Sequence, residues 1–190
     1  MTERRREKIL SVLRQRQPNL TIVMEDIHDP HNVSAVLRSA DAVGIVEVQL
    51  VYVNEKFPRL GKKSSASATK WVKRRAFTSV EACYNKLHEE GFTIYASHLG
   101  KKSSSIYELD LTKKIALVFG NEHRGVSEEA AERADGNFQI PMAGMIQSLN
   151  VSVACAVSVY EVFRQRQASG SRAMLSLEEI DRFFAEWTAK

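Results

Sequence analysis

Apolar and polar positions follow two different periods along the chain, and together they predict an α/β protein. Apolar runs of strand length, some continuous and some alternating, lie at 20–24, 46–53, 71–78, 92–99 and 115–119. Between them, apolar residues recur at i, i+3, i+4 and i+7, which is helical spacing. Because strands that alternate with helices favour parallel pairing, we expect a mostly parallel sheet covered by helices.

Capping residues predict where several of these helices begin. Five residues of a type that favours the N-cap position stand just before a helical pattern, namely Asn32, Ser79, Ser127, Asn150 and Ser176. Ser176 also precedes Glu179 by three residues, which predicts a capping box at the start of the last helix.

The length of 190 residues is enough for one domain with a sizeable core, and composition divides the chain into three parts. A basic helical extension occupies 1–18, the α/β domain 19–167 and a helical C-terminal extension 168–190, whose first residues to 173 form a small-residue linker. Two loops rich in Lys and Ser are expected at 54–70 and 101–105.

The segment 140–154 has an unusual turn between a strand and a helix. A short apolar strand ends in a proline, passes through small residues and enters a helix at Asn150. Ser148 and Asn150, beside the free N–H groups of a helix start, suit a polar ligand. The alternative is an ordinary capped helix of the core.

Two further segments strengthen the prediction of a ligand site. Segment 29–40 is an amphipathic helix with Arg38 off its apolar stripe, and the alternative for Arg38 is a solvated charge. Segment 115–127 is a buried strand followed by a loop, flanked by glycines, that carries Glu122 and Arg124. In open α/β sheets, ligands bind just past the carboxyl ends of such strands.

Positive charge is concentrated in three clusters, although the net charge is only +4. The first cluster contains Arg4, Arg5, Arg6, Lys8, Arg14 and Arg16; the second contains Lys56, Arg59, Lys62, Lys63, Lys70, Lys73, Arg74 and Arg75; the third contains Arg164, Arg166 and Arg172. Clusters of this kind favour binding to a nucleic-acid backbone over a merely solvated surface. The nearby aromatic residues Phe57, Trp71 and Phe77 either stack on bases or belong to the core.

Several classes of protein lack support in the sequence. The chain contains no G-x-G-x-x-G after a strand, no Walker motif, no nucleophile elbow and no H-E-x-x-H. Cys83 and Cys155 lie far apart on apolar helical positions, and no histidine has zinc-type spacing with them, so we expect no disulfide and no metal. No apolar run reaches membrane-spanning length, and the N-terminus is charged, so we expect a cytoplasmic protein.

Taken together, the three segments resemble the signature motifs of the SpoU branch of the SPOUT RNA methyltransferases. The matches are Asn32 and Arg38 for the first motif, Gly120-Asn121-Glu122 and Gly125 for the second, and Ile140-Pro141-Met142 with Ser148-Leu149-Asn150 for the third. All three occur in the order of the family, and Ser39 stands where many relatives carry Thr.

The resemblance implies the architecture and the cofactor. SPOUT proteins thread the C-terminal part of their sheet into a deep trefoil knot and form homodimers whose active site lies at the subunit interface. The methyl donor is S-adenosylmethionine and no metal is needed. The residues that would bind the donor are Leu99, Gly100, Phe119, Gly120, Asn121, Glu122, Ile140, Met142, Ser148 and Leu149.

The resemblance also implies roles for individual residues in methylating a ribose 2′-hydroxyl. In the family, Arg38 is proposed as the base; because a guanidinium ordinarily stays protonated, we favour phosphate binding and stabilisation of the developing alkoxide. Asn32 would hold Arg38 or the ribose, Glu122 would support the cofactor loop, and Ser148 and Asn150 would order the third motif. The expected RNA contacts are His31 and the terminal residues Arg4, Arg5, Arg6, Lys8, Arg14, Arg16, Arg164, Arg166 and Arg172.

The flanking segments and the size are most similar to family members that methylate guanosine 18 in the D-loop of tRNA. Three alternatives stay open: the same chemistry on a wobble nucleotide or on 23S ribosomal RNA, a non-catalytic RNA-binding relative, and a small-molecule α/β enzyme that the basic clusters disfavour. The apolar face of the final helix, with Phe183, Phe184 and Trp187, is expected to serve either the dimer or its own chain.

Overall fold

The structure, a computed structural model, describes residues 1–60, 68–100 and 102–189. Its helices are α1 (Glu3–Leu13), α2 (Pro30–Ala42), α3 (Ala68–Trp71), α4 (Val80–Glu89), α5 (Glu128–Arg133), α6 (Val151–Ser169) and α7 (Leu177–Thr188), with a 3₁₀ turn at Ile106–Glu108. Its strands are β1 (Leu20–Glu25), β2 (Glu47–Val51), β3 (Lys73–Phe77), β4 (Thr93–Ser97), β5 (Ser104–Ser105), β6 (Ile115–Phe119) and β7 (Gly136–Gln139). Among these helices, none is long and apolar enough to cross a membrane.

The strands form one sheet of seven in the order β3-β2-β1-β6-β4-β7-β5, and every pairing is parallel. The predicted parallel α/β sheet is therefore confirmed. All five residues of β6 are buried, as expected for a strand that lies in the middle of a sheet covered on both faces. The carboxyl ends of β1, β4 and β6 consequently lie next to one another.

Alternate residues of the central strands feed two separate cores, one on each face of the sheet. Leu117 and Phe119 pack with α2 and α6, whereas Ala116 and Val118 pack with α4 and α5. The expected burial of the two cysteines is confirmed, since each lies in one of these cores. Burial raises the pKa of the Cys83 thiol to about 12, so it stays protonated.

The terminal helices α1 and α7 form a third apolar cluster, which includes Leu13, Phe183 and Trp187. Phe183 and Trp187 are each only 4% exposed. The apolar face of the final helix therefore packs on its own chain.

Four of the five predicted N-caps are confirmed, and the one at Asn32 is wrong. The side chains of Ser79, Ser127, Asn150 and Ser176 each accept a hydrogen bond from the first turn of their helix. In α2 the cap is Asp29, whose carboxylate accepts from the backbone N–H of His31. Pro30 explains the earlier start, because its fixed φ suits the first position of a helix. Asn32 thus lies inside the first turn.

Other boundaries also differ from those expected. The predicted loop 54–70 contains the start of α3, and its part 61–67, with Lys62 and Lys63, lies outside the described residues. Trp71 ends α3 instead of beginning a strand. Ser104 and Ser105, predicted as loop, form the short edge strand β5 by pairing with β7. Their polar sequence does not indicate a strand, because the pairing depends on the free edge of β7. Helix α6 extends to Ser169, two residues into the predicted linker.

Candidate active site at the carboxyl end of the sheet

A cavity of about 440 Å³ lies at the carboxyl ends of β4 and β6. Segments 97–99, 119–126 and 148–151 line it, together with Ala154 of α6. Seven of the ten residues predicted to bind the cofactor are among the lining, namely Leu99, Phe119, Gly120, Asn121, Glu122, Ser148 and Leu149. The fold therefore brings the second and third motifs to one cavity.

Three of the predicted residues do not line this cavity. Gly100 directly follows the lining residue Leu99, and its N–H donates to Ser103 Oγ at 3.2 Å. Ile140 packs against the core beneath α2 and α6. Met142 is half-buried in the segment that leads from β7 towards α6.

The loop of the second motif is too tight for any side chain at Gly120. A Cβ atom there would lie 2.1 Å from the carbonyl oxygen of Gly125. Asn121, which is 6% exposed, holds this loop from within. Its Oδ1 accepts from the N–H of His123 at 2.9 Å, and its Nδ2 donates to the Asp26 carbonyl at 2.8 Å. Gly120 and Asn121 thus shape the wall of the cavity through the backbone.

Glu122 connects this loop to the start of α2. Its carboxylate accepts from the N–H groups of His28 and Asp29, each at 3.0 Å, and from Asn32 Nδ2 at 2.9 Å. Burial by itself raises the pKa of Glu122, but the hydrogen bonds from Asn32 and the backbone outweigh it and leave the pKa below its ordinary value. Glu122 is therefore a firmly ionised carboxylate at a helix N-terminus.

Asn32 also reaches the third motif. Its Oδ1 accepts from Asn150 Nδ2 at 3.1 Å, while Asn150 Oδ1 accepts from the N–H of Ser152 at 2.9 Å. Asn32 was expected to hold Arg38 or the ribose. Within this chain it does not hold Arg38, since its amide is bonded to Glu122 and Asn150, and the contact with the ribose stays a prediction. Side chains from all three motifs are thus joined at the edge of the cavity.

Arg38 stands apart from the cavity. It is exposed on α2, six residues beyond Asn32 and therefore about 9 Å along the helix axis. Within the described residues, the side chain of Arg38 makes no hydrogen bond or ion pair, and it does not line the cavity. His31 is exposed in the first turn of the same helix.

Asp26 is a structural residue of this site that the sequence analysis missed. It is 3% exposed and adopts a φ of +51°, which is rare for a residue with a side chain. Its carboxylate accepts from the N–H of Val53 at 2.9 Å and from Asn54 Nδ2 at 3.0 Å, and Arg124 Nη2 lies 3.5 Å away. Its position directly after the apolar run of β1 is the signal that could have revealed it.

Two of the predicted RNA-binding arginines are buried, so the expectation that they lie at the surface is wrong. Arg16 is 1% exposed and donates to Asp41 Oδ1 at 2.5 Å and to the Ile45 carbonyl at 2.9 Å. Burial lowers the pKa of Arg16, and Asp41 opposes that shift. Its guanidinium also lies 5.0 Å from the ring centroid of Trp187.

Arg166 is fully buried beside the residues that precede β1 and β6. It donates to the carbonyls of Leu111 at 3.1 Å and Lys113 at 2.6 Å, and to Asn19 Oδ1 at 2.7 Å. Burial lowers the pKa of Arg166 to about 10, so it remains charged at neutral pH. Arg16 and Arg166 therefore join chain segments instead of facing solvent.

The other predicted RNA-binding residues are accessible to different degrees. Arg164 is exposed and pairs with Glu161 at 2.8 Å. Arg172 is half-buried against the ring of Phe163, with 5.4 Å to its centroid. The exposed cations of the N-terminal cluster are Arg4, Arg5, Arg6, Lys8 and Arg14.

Known proteins resemble this chain in both sequence and fold. Residues 19–160 match the SpoU rRNA Methylase family. A tRNA (guanosine(18)-2′-O)-methyltransferase of Thermus thermophilus is 45% identical over 191 residues, covering 100% of this chain and 98% of the relative. The enzyme of the same description from Escherichia coli K12 is 40% identical over 170 residues, covering 90% of this chain and 74% of the relative. The crystal structure of the A. aeolicus TrmH/SpoU tRNA modifying enzyme superposes with a TM-score of 0.92 at 36% identity, covering 98% of this chain and 96% of that one.

Proposed function

The chain belongs to the SpoU rRNA Methylase family, and on that basis we propose that it methylates the ribose 2′-hydroxyl of guanosine 18 in the D-loop of tRNA. Relatives that carry this activity in their names are similar to the chain over 90% to 100% of its length. We expect the protein to act in the cytoplasm, where unmodified tRNA is found; a cell fractionation in which it sediments with membranes would contradict this.

One observation carries the proposal, namely the hydrogen-bonded group of Asn32, Glu122 and Asn150 beside the cavity. Each of these residues comes from a different motif, and the distances that join them are 2.9 and 3.1 Å. In open α/β sheets, ligands bind at the carboxyl ends of the strands, which is where this cavity lies. Hydrogen bonds that join three polar turns at such a place favour a ligand site over a purely structural role.

The cavity fits S-adenosylmethionine in size and chemistry. Its volume of about 440 Å³ lies within the range of cofactor sites. The apolar side chains of Leu99, Leu149 and Val151 would pack against the adenine, and backbone groups around Gly120 would read its edge. When bound, the cofactor supplies a sulfonium methyl group that is already activated, so the chain needs only to hold and orient the two reactants.

We assign the charge stabilisation of the reaction to Arg38. Its guanidinium is exposed and has no partner in the part of the chain that the structure describes, so it is available to bind the phosphate next to the target ribose. There it would also stabilise the negative charge that develops on the ribose 2′-oxygen. Asn32 and Glu122 act as positioning residues, because they fix the first turn of the helix that carries Arg38. Ser148 and Asn150 order the loop of the third motif.

We infer that the active protein is a homodimer in which Arg38 of one subunit serves the cavity of the other. Arg38 does not line the cavity of its own chain, which supports a site completed by a second copy. The apolar side chains of Val153 and Tyr160 lie on one face of α6 beside this cavity and are 46% and 51% exposed. A face of this kind is typical of a subunit interface.

We also infer the trefoil knot that the resemblance implies. Ser97 and Ser104 both pair with Phe138, from opposite sides of β7. The connection between these serines therefore leads from one side of β7 to the other close to the end of β7 at Gln139, which supports threading of the segment that follows. A crystal structure in which segment 140–150 runs outside that connection would contradict the inference.

Transfer of radiolabelled methyl groups into an unmodified tRNA transcript tests the proposed function. We expect label in the transcript that carries guanosine 18 and none when that nucleotide is changed to adenosine. Equal label in both would move the target to another nucleotide, such as the wobble position. Label in neither, with ribosomal RNA also unlabelled, would contradict the methyltransferase assignment.

Subunit mixing tests the shared site. Arg38→Ala and Gly120→Ala are each expected to be inactive, since the first removes the charge and the second places a Cβ against Gly125. If the site is shared, exchange of subunits restores about a quarter of the wild-type activity, because half of the dimers then contain one intact site. A wild-type chain that elutes as a monomer at catalytic concentrations would contradict the dimer.

A further inference from the structure

A groove that the proposed reaction does not use runs along α1. It consists of two adjoining cavities of about 450 and 430 Å³, and both are lined by Lys8, Ile9 and Trp71. The larger cavity also borders Asp41 near the end of α2. Asp41 lies three residues beyond Arg38, so the groove begins within about one helical turn of the proposed catalytic arginine.

The groove is positively charged, and the protein itself leaves much of this charge without a partner. Arg4, Arg5 and Lys8 line it and are exposed, and their side chains make no hydrogen bond or ion pair within the described residues. Asp41 is the one acid among the described residues that line it, and it is engaged with Arg16 at 2.5 Å. An anionic ligand would therefore meet several cations and no free carboxylate.

The groove also has an aromatic platform. Trp71 is half-buried between the two cavities, and its ring packs on that of Trp187, with 4.9 Å between centroids. Because Trp187 is 4% exposed, it supports Trp71 from below and leaves Trp71 as the ring that a ligand can reach. Cations that follow a backbone beside an aromatic ring are the elements that bind single-stranded nucleic acid.

Two buried donors in the groove wall lack an acceptor. Arg16 Nε and Arg172 Nε are buried and have no hydrogen-bond partner in the described part of the chain. Both residues line the larger cavity. Buried donors are nearly always satisfied in native proteins, so an acceptor that enters here after a small side-chain shift, such as a phosphate oxygen, would remove this deficit.

We propose that this groove binds an unpaired nucleotide of the substrate RNA near the one that is methylated, with its base stacked on Trp71 and its phosphates against Arg4, Arg5 and Lys8. The identity of the ligand as RNA rests on the proposed function. A base-binding site beside the terminal helices could not be predicted from the basic residues alone, because contacts to phosphates do not recognise the base.

Tryptophan fluorescence tests the groove without any methyl transfer. The full chain is titrated with a single-stranded RNA of about ten nucleotides, long enough to fill a groove of this type. The chain contains two tryptophans, and Trp187 is shielded, so we expect quenching that comes from Trp71. Trp71→Leu should remove the quenching and weaken RNA binding about tenfold, the cost of losing one stacked base, whereas Trp71→Phe should keep most of the affinity.

Two further variants make the result decisive even if Trp71→Leu is poorly folded. Arg5→Glu combined with Lys8→Glu changes only exposed positions of α1 and should weaken RNA binding at least tenfold and abolish the quenching. Lys86→Ala, which removes an exposed lysine from α4, is the matched control and should bind like the wild type. Wild-type RNA affinity in both a folded Trp71→Leu chain and the double variant would overturn the proposal.

The same variants separate this proposal from the proposed function. If the wild type methylates tRNA and the groove variants keep its KM for tRNA, the groove is not a nucleotide site although the function stands. If the wild type transfers no methyl group yet the RNA titration depends on Trp71, the groove stands and the function fails.

Discussion

Asn32 Nδ2 donates to Glu122 Oε1 at 2.9 Å, although 90 positions separate these residues in the chain. The same carboxylate accepts from two backbone N–H groups just before α2, at His28 and Asp29. A negative charge is favoured at a helix N-terminus, because the helix dipole and the free N–H groups there stabilise it. The pair thus fixes the start of α2, and with it the direction of the helix that carries Arg38.

Glu122→Gln should destabilise the protein at neutral pH and much less in acid. In the folded chain the pKa of Glu122 lies below its ordinary value of 4.5. The ionised carboxylate therefore contributes its full stabilisation above pH 4.5, and this stabilisation is lost as the pH falls through the pKa of the folded state. Urea unfolding at neutral pH and at a series of values below 4.5 measures the difference from the wild type. Glu132→Gln, an exposed glutamate of α5, is the control, and a difference for Glu122→Gln that persists unchanged into acid would contradict the prediction.

Arg38→Ala should abolish methyl transfer and leave cofactor binding nearly intact. The side chain is exposed and does not line the cavity of its own chain, so its loss should cost kcat about 100-fold or more while changing the free energy of unfolding by less than about 0.5 kcal/mol. Single-turnover kinetics and calorimetric titration with S-adenosylmethionine separate the two effects. If Arg38→Ala keeps most of its activity, the assignment of this arginine to charge stabilisation is wrong.

Replacement of Arg4, Arg5 and Arg6 together by alanine should weaken tRNA binding and flatten its dependence on salt. Each lost phosphate contact lowers the steepness of log K against log salt by about 0.7 to 0.9, so three contacts lower it by about 2 to 3. Filter binding at several salt concentrations gives the slope, with Lys86→Ala as the control. An unchanged slope would leave these arginines as ordinary solvated charges.

Arg166→Ala should unfold the protein more easily without a direct effect on RNA. Its removal leaves buried acceptors at Leu111, Lys113 and Asn19 without a donor, which costs about 3–5 kcal/mol. Arg14→Ala is the control, because Arg14 is exposed and its side chain makes no ion pair within the described residues, and it should change the stability little. Urea unfolding of both variants checks this, and a folded Arg166→Ala chain of wild-type stability that fails to bind tRNA would return this arginine to the RNA-binding surface.

Much of the fold was predictable because it depends on short stretches of sequence. The apolar run of β6 requires burial on both faces whatever surrounds it, and Ser127 and Asn150 cap their helices with atoms only a few residues away. The motifs likewise lie at strand ends, and parallel strands bring those ends to one edge. Local chemistry thus sufficed to predict an α/β sheet and a ligand site at its carboxyl edge.

Partners that are distant along the chain were not predictable in the same way. Asn32 is a residue type that favours the N-cap position, but the helix begins earlier, at Pro30. The side-chain amide of Asn32 is therefore free to bond Glu122 and Asn150. Arg16 and Arg166 belong to basic clusters in the sequence, yet the fold turns both inward.

The sequence by itself determined most of the elements, their parallel pairing and the three motifs, because hydrophobic period and capping act over a few residues. Only the tertiary structure decided which polar side chains meet and which charges are buried. Asp26 and Arg166 make the reason clear: their partners lie up to 149 positions away, and a buried charge is stable only where the whole fold brings its acceptors or donors to it.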